Sequence, residues 1–114
     1  MAINKKGSRK IVVDDSEFRW RATGNDGWIS VVIWPVENEN SRYVGSVGYH
    51  SKLEQIGDGW HRAVEQILIT NRVIQAVISH YGVKRIIENN GQVNIGPLEE
   101  IIDINLAKRV DLRR

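Results

Sequence analysis

Three histidines, His50, His61 and His80, are the side chains best suited to move a proton near neutral pH or to hold a transition metal. Their spacings are 11 and 19 residues. Neither is one of the short intervals that set two ligands on one face of a strand or helix. They read as ordinary surface or capping histidines, and neither a metal nor a cofactor is expected. The carboxylate pairs Asp14-Asp15 and Glu99-Glu100 are sequence neighbours. Neighbours on a regular element point apart and make poor acid/base partners. The first pair reads as turn chemistry and the second as the first turn of a helix. Around Ser46, Gly48 follows as a G-x-S-x-G elbow requires, but Val44 stands where the leading glycine belongs. No glycine-rich phosphate loop occurs. There is no cysteine, which excludes thiolate catalysis, a disulfide framework and Cys-ligated zinc, and which fits a reducing compartment. No catalytic residue is assigned. An enzyme of unfamiliar type would need one of the three histidines to meet a carboxylate in a pocket.

Aromatic and basic residues offer more. The 114 residues include four tryptophans. Trp28 and Trp34 fall at the same parity on one strand and, across a hairpin, share a face with Arg19 and Arg21. Tryptophan and arginine dominate interface energetics, so this quartet is the expected binding face. The alternative is that helices cover the face and both tryptophans belong to the core. A second candidate is the basic N-terminus, Lys5, Lys6, Arg9 and Lys10, which can neutralise phosphates without reading sequence. Residues 107–114 add Lys108, Arg109, Arg113 and Arg114 against Asp111, whereas residues 11–106 hold 8 basic and 13 acidic side chains. The net charge of +2 thus belongs to the two ends, which weakens the case for a basic nucleic-acid groove in the body.

The elements that must position these residues are legible in part. Lys10–Val13 reads as a strand, and Asp14-Asp15-Ser16 as a turn centred on Asp15 and Ser16. Glu17–Thr23 alternates, with Phe18, Trp20 and Ala22 on the apolar face. Gly24-Asn25-Asp26-Gly27 is the strongest turn signal, and Trp28–Trp34 follows as a strand stopped by Pro35. A tight turn places Ala22 opposite Ile29, Trp20 opposite Val31 and Phe18 opposite Ile33, with Arg19 opposite Val32 and Arg21 opposite Ser30. The first turn sets Val13 opposite Phe18 and Ile11 opposite Trp20. Val36–Arg42 is a polar loop. Tyr43–His50 is a fourth strand, in which Gly45 and Gly48 suggest a bulge or a close backbone contact. Ser51–Gly59 reads as loop. The clearest helix is Asn71–Tyr81, capped by Thr70, striped by Val73, Ile74, Val77, Ile78 and Tyr81, and stopped at Gly82. Before it, one longer helix from Asp58 competes with a buried strand over Val64–Ile69, and the continuous run Ile67-Leu68-Ile69 favours the strand. Gly96–Glu100 looks like a helix start, with Leu98, Ile101, Ile102 and Leu106 facing inward. A strand through Ile102, Ile104 and Leu106 is its rival.

Two segments, Lys10–Trp20 (KIVVDDSEFRW) and Ile69–Tyr81 (ITNRVIQAVISHY), resemble a family of small bacterial proteins. These pair an N-terminal hairpin carrying a Trp-Arg dipeptide, here Trp20-Arg21, with a helix opening in Ile-Thr, here Ile69-Thr70. The resemblance implies a bacterial α+β domain and brings no established activity.

Together these readings predict an α+β fold. An antiparallel sheet of three to five strands, begun by an N-terminal meander, carries two or more C-terminal helices on one face. A single domain over residues 9–114 follows a disordered basic arm at 1–8. No run of 18 apolar residues could span a membrane, and the polar N-terminus lacks the apolar centre of a secretory signal, so cytoplasm is the expected location. The leading functional expectation is a small non-catalytic module that binds a protein partner, or a second copy, through Arg19, Arg21, Trp28 and Trp34. The alternative is an accessory nucleic-acid binder using the basic termini.

Overall fold

The computed structural model describes residues 7–112, so Lys5, Lys6 and most of the expected arm lie outside the described residues. The chain runs β1 (Arg9–Val13), β2 (Ser16–Gly24), β3 (Trp28–Pro35), β4 (Ser41–Gly48), β5 (Lys52–Gly57), β6 (Trp60–Leu68), α1 (Asn71–Tyr81), α2 (Val83–Glu88), β7 (Gly91–Pro97) and β8 (Lys108–Asp111). Two 3-10 turns, Leu98–Glu100 and Ile104–Leu106, stand between β7 and β8. The fold is α+β. One sheet has five strands in the order β1-β2-β3-β4-β7 and the other has three in the order β5-β6-β8.

The meander forms as its alternation dictates, but both hairpins sit two residues from the expected register. Asp14 and Asp15 themselves form the first turn, at φ 49 and 63. A two-residue loop with both central φ positive matches the twist of the strands it joins. Ile11 therefore faces Phe18, and Val13 faces Ser16. At the second turn Gly24 pairs with Ile29, and the loop holds four residues instead of two. Asn25 fixes it: its backbone N–H donates to the Trp28 carbonyl at 2.7 Å, and its amide donates to Ser30 Oγ at 2.7 Å. Trp20 consequently faces Ile33, and Ala22 faces Val31. A shift of two preserves the face of every residue, so the apolar set stays together.

That apolar face is covered by the helices. Ile11, Phe18, Trp20, Val31, Ile33, Tyr43 and Val47 pack with Val73, Ile74, Val77, Ile78 and Ile86 in one core. Each large aliphatic side chain so buried contributes about 1.5–3 kcal/mol. Helix α1 has the expected bounds, and Gly82 takes φ 98 at its end. Thr70 stands at the N-cap position, but its hydroxyl makes no capping bond and is buried without a partner. Asn71 ties the helix start to the sheet instead, its Oδ1 accepting from Trp20 Nε1 at 2.8 Å.

Three expectations are corrected. The first sheet is mixed, because β7 joins β4 in parallel. Gly45 makes this possible: a Cβ there would lie 2.8 Å from Leu98 Cδ2 and 2.9 Å from Ile95 Cγ1. The helix expected from Gly96 shrinks to the two 3-10 turns. Leu98 is drawn into the core, and Asp103 accepts from Asn105 N–H at 3.0 Å, which starts a separate turn. Ser51–Gly59 is largely strand, since β5 pairs antiparallel with β6. The strand preferred before α1 does form, and it extends back to Trp60.

Candidate functional site

Both helices lie on the core side of the five-stranded sheet, and among the described residues the opposite side carries no helix. Strand alternation assigns to that open face Lys10 and Val12 from β1, Glu17, Arg19 and Arg21 from β2, Trp28, Val32 and Trp34 from β3, and Arg42 and Val44 from β4. The register aligns them in rows. Lys10 faces Arg19, Arg19 faces Trp34, Trp34 and Arg42 are next in register, and Arg42 faces Gln92. One line across all five strands therefore carries three cations. Glu17 offsets part of this charge, approaching Lys10 Nζ at 3.5 Å.

The expected quartet is thus gathered on one helix-free face, but its members differ in exposure. Trp34 is 1 % exposed. Arg19 and Arg42 flank it, and long cationic side chains cover apolar surface with their alkyl stems while the heads stay in water. The Trp34 indole N–H is buried without a hydrogen-bond partner. This residue belongs to the packed interior and does not offer a contact surface, which corrects its place in the quartet. Arg19 is half-buried and donates from Nε to Ser8 Oγ at 3.1 Å. Arg21 is also half-buried, opposite Val32. Trp28 is 48 % exposed. It faces Gly48, which has no side chain to lay over the indole.

Beside Trp28 lies the one histidine–carboxylate contact among the described residues. His50 Nε2 is 2.7 Å from Glu99 Oε2, which also accepts from Gly48 N–H at 2.9 Å. A Cβ at Gly48 would point toward both, at 3.4 Å from Glu99 Oε2 and 3.7 Å from His50 Nε2. The pair therefore stands on the same face as Trp28, one strand over. Burial pushes the Glu99 carboxyl up, but hydrogen bonds from the Gly48 and Glu99 N–H groups and from His50 outweigh it, holding Glu99 below its ordinary range. His50 itself sits at φ 49, at the passage from one sheet to the other, and its carbonyl accepts from Arg109 Nη1 at 2.9 Å. The spacing of 49 residues gave no sign of this contact; only the 3-10 turn after β7 delivers Glu99 to β4.

The remaining candidates are dispersed. His61 lies on the exposed start of β6, and His80 packs edge-on against Tyr81 at 4.9 Å. Among the described residues no three His, Asp or Glu side chains gather as a metal site would require. Arg9 points to the other side of β1, its guanidinium 5.6 Å from the Trp20 ring. A cleft of about 1240 Å³ between the first turn and the α1–α2 junction is lined by Asp14, Tyr43, Tyr81, Lys84 and Arg85. Burial raises the Tyr43 phenol above its ordinary 10.0, against the opposing pull of Arg85. A smaller cavity of about 330 Å³ lies beside Trp20 and Tyr49. His50 and Glu99 line neither.

Among the described residues no helix is long and apolar enough to cross a membrane. No protein-family model, curated protein or solved structure matches the chain. What the fold defines is a class of architecture: an α+β chain whose main sheet, among the described residues, is covered by helices on one side only.

Proposed function

We propose that this protein is a small non-catalytic interaction module that takes a protein partner on the helix-free face of its five-stranded sheet. The observation that carries the reading is Trp28, half exposed and opposite a glycine on a face where the charged neighbours are mainly arginines. An indole offers a large apolar contact at small cost in conformational entropy, and arginine supplies directional donors around it. Trp28 is the anchor, and Arg19, Arg21 and Arg42 set the charge preference. The partner surface that suits them is acidic, with an apolar recess for the ring. Such a role fits the expected cytoplasmic location. A photo-reactive residue at position 28 tests it, with the same residue at Gln75, on the exposed side of α1, as control. Covalent capture of one protein from position 28 alone is the expected result. Equal capture from both positions, or none from position 28, overturns the reading.

The row Lys10–Arg19–Arg42 favours a second reading, an accessory nucleic-acid binder. Three phosphate contacts on a single strand give a slope of about −2 in log affinity against log salt. Lys5 and Lys6 would add to it. An oligonucleotide that binds with such a slope, and that loses affinity in Arg42→Glu, would move the assignment there.

A further inference from the structure

The three-stranded sheet ends in a strand that no other described element covers. All six residues of β5 are exposed, and among the large apolar side chains Leu53 is 60 %, Ile56 58 % and nearby Trp60 72 % exposed. In this sheet β5 is an edge, so one side of its backbone presents unpaired N–H and C=O groups. It holds no proline, and its charges are already engaged with β6: Lys52 Nζ lies 3.6 Å from Glu65, and Glu54 lies 3.3 Å from Arg62. Lys52, Glu54 and the irregularities at Lys52/Leu53 and Gln55/Gly57 blunt this edge in part, but no proline blocks it and each charge is balanced by one on β6.

We propose that the occupant of this edge is a second copy of the chain, paired antiparallel about a twofold axis at Leu53. The charge pattern selects both the partner and the register. With the axis there, Leu53 meets the partner's Leu53, and Lys52 meets the partner's Glu54. Because Glu54 faces Arg62 and Lys52 faces Glu65 within each copy, the row across four strands reads Arg62, Glu54, the partner's Lys52 and the partner's Glu65. Its charges alternate in sign at every step. Leu53 faces Ala63 in its own copy, so the central row is apolar from end to end. Directly opposed pairs of these kinds each stabilise a sheet by about 0.2–1 kcal/mol. Competing registers are worse. An axis at Glu54 sets two carboxylates face to face. An axis at Gln55 sets Glu54 against the partner's Ile56, a residue that has no place in the pairing of β5 with β6. The twofold is closed, so pairing stops at a dimer and does not propagate.

The chain has no cysteine, which makes an engineered one a clean reporter. Directly opposed residues in an antiparallel ladder have Cα atoms about 4.5–5.5 Å apart, within disulfide reach. Full-length Leu53→Cys should form a disulfide dimer under mild oxidation, of twice the 13.0 kDa chain mass. Glu54→Cys should not, because its own copy lies two residues along the strand. Leu53→Lys, which sets two ammonium groups on the axis, should halve the mass of the unlinked protein in sedimentation while leaving the circular dichroism spectrum unchanged. A wild-type protein that sediments at 13.0 kDa at its highest soluble concentration overturns the proposal. So does cross-linking of Glu54→Cys as efficient as that of Leu53→Cys, or a Leu53→Lys protein that stays dimeric. Self-association blocked by Trp28→Ala would also overturn it, placing the contact on the open face of the other sheet.

Discussion

Thr70 does not play the part that helix-capping rules assign it, and Asn71 ties the helix start to the sheet instead. Thr70 occupies the N-cap position, where such a side chain commonly contributes about 1 kcal/mol. Here its hydroxyl is buried and unpaired, while Asn71 accepts from the Trp20 indole. Thr70→Val keeps the shape and removes a desolvated hydroxyl, so thermal unfolding should show unchanged or higher stability. Asn71→Ala strands the buried Trp20 N–H and should cost about 1–3 kcal/mol. A destabilised Thr70→Val together with a neutral Asn71→Ala would refute this assignment. Glu99 carries a pH signature. Its carboxyl is held below the ordinary 4.5, so it titrates lower in the folded chain than in the unfolded one. Its stabilising contribution is complete above that ordinary value and is lost as pH falls through the lower folded one. In Glu99→Gln that part of the acid sensitivity should vanish, read as a flatter dependence of the unfolding midpoint on pH below about 5. An unchanged acid limb would remove Glu99 from this role.

At the scale of elements, Gly45 decides whether β7 can join the main sheet. Leu98, Ile95 and the Gly96 carbonyl crowd the position a Cβ would take, with the first two under 3.0 Å away. Gly45→Ala should therefore destabilise by about 1–3 kcal/mol, the usual cost of overpacking. The loss should appear first as weakened amide protection in Gly91–Pro97. Protection there equal to wild type would mean that the crowding relaxes without cost. The meander, α1 and the strand before it were legible, because alternation and a 3.6-residue stripe follow directly from which side must be dry. The register was legible only to the nearest two residues. Face is fixed by burial, but loop length is fixed by Asn25 and by Asp14-Asp15, whose side chains and positive φ angles select the turn. β5 was not legible. KLEQIG has no apolar side and pairs because β6 presents it an edge, whereas in GQVNIGP the alternation of Val93, Ile95 and Pro97 was a signal that the reading missed.

Across the whole molecule, burial is uneven. The core joins the five-stranded sheet to the helices, while β5 is fully exposed and β6 begins exposed. Amides of β2, β3 and α1 should exchange slowest, at the rate set by global unfolding, and those of β5 fastest. If β5 pairs between copies, its protection should rise with protein concentration while that of β3 does not move. Concentration-independent exchange throughout would count against the dimer. By itself the sequence determined the class of fold, the helix at Asn71–Tyr81 and the grouping of Arg19, Arg21, Trp28 and Trp34 on one side of a hairpin. These depend on local periodicity, which is set by the pleat and by the helical repeat. Only the tertiary structure decided that Trp34 is interior while Trp28 is half exposed, that Glu99 reaches His50, and that a second sheet presents a free edge. Each of these depends on contacts between residues far apart in the chain, and what finally buries or frees a side chain is the neighbour the fold brings to it.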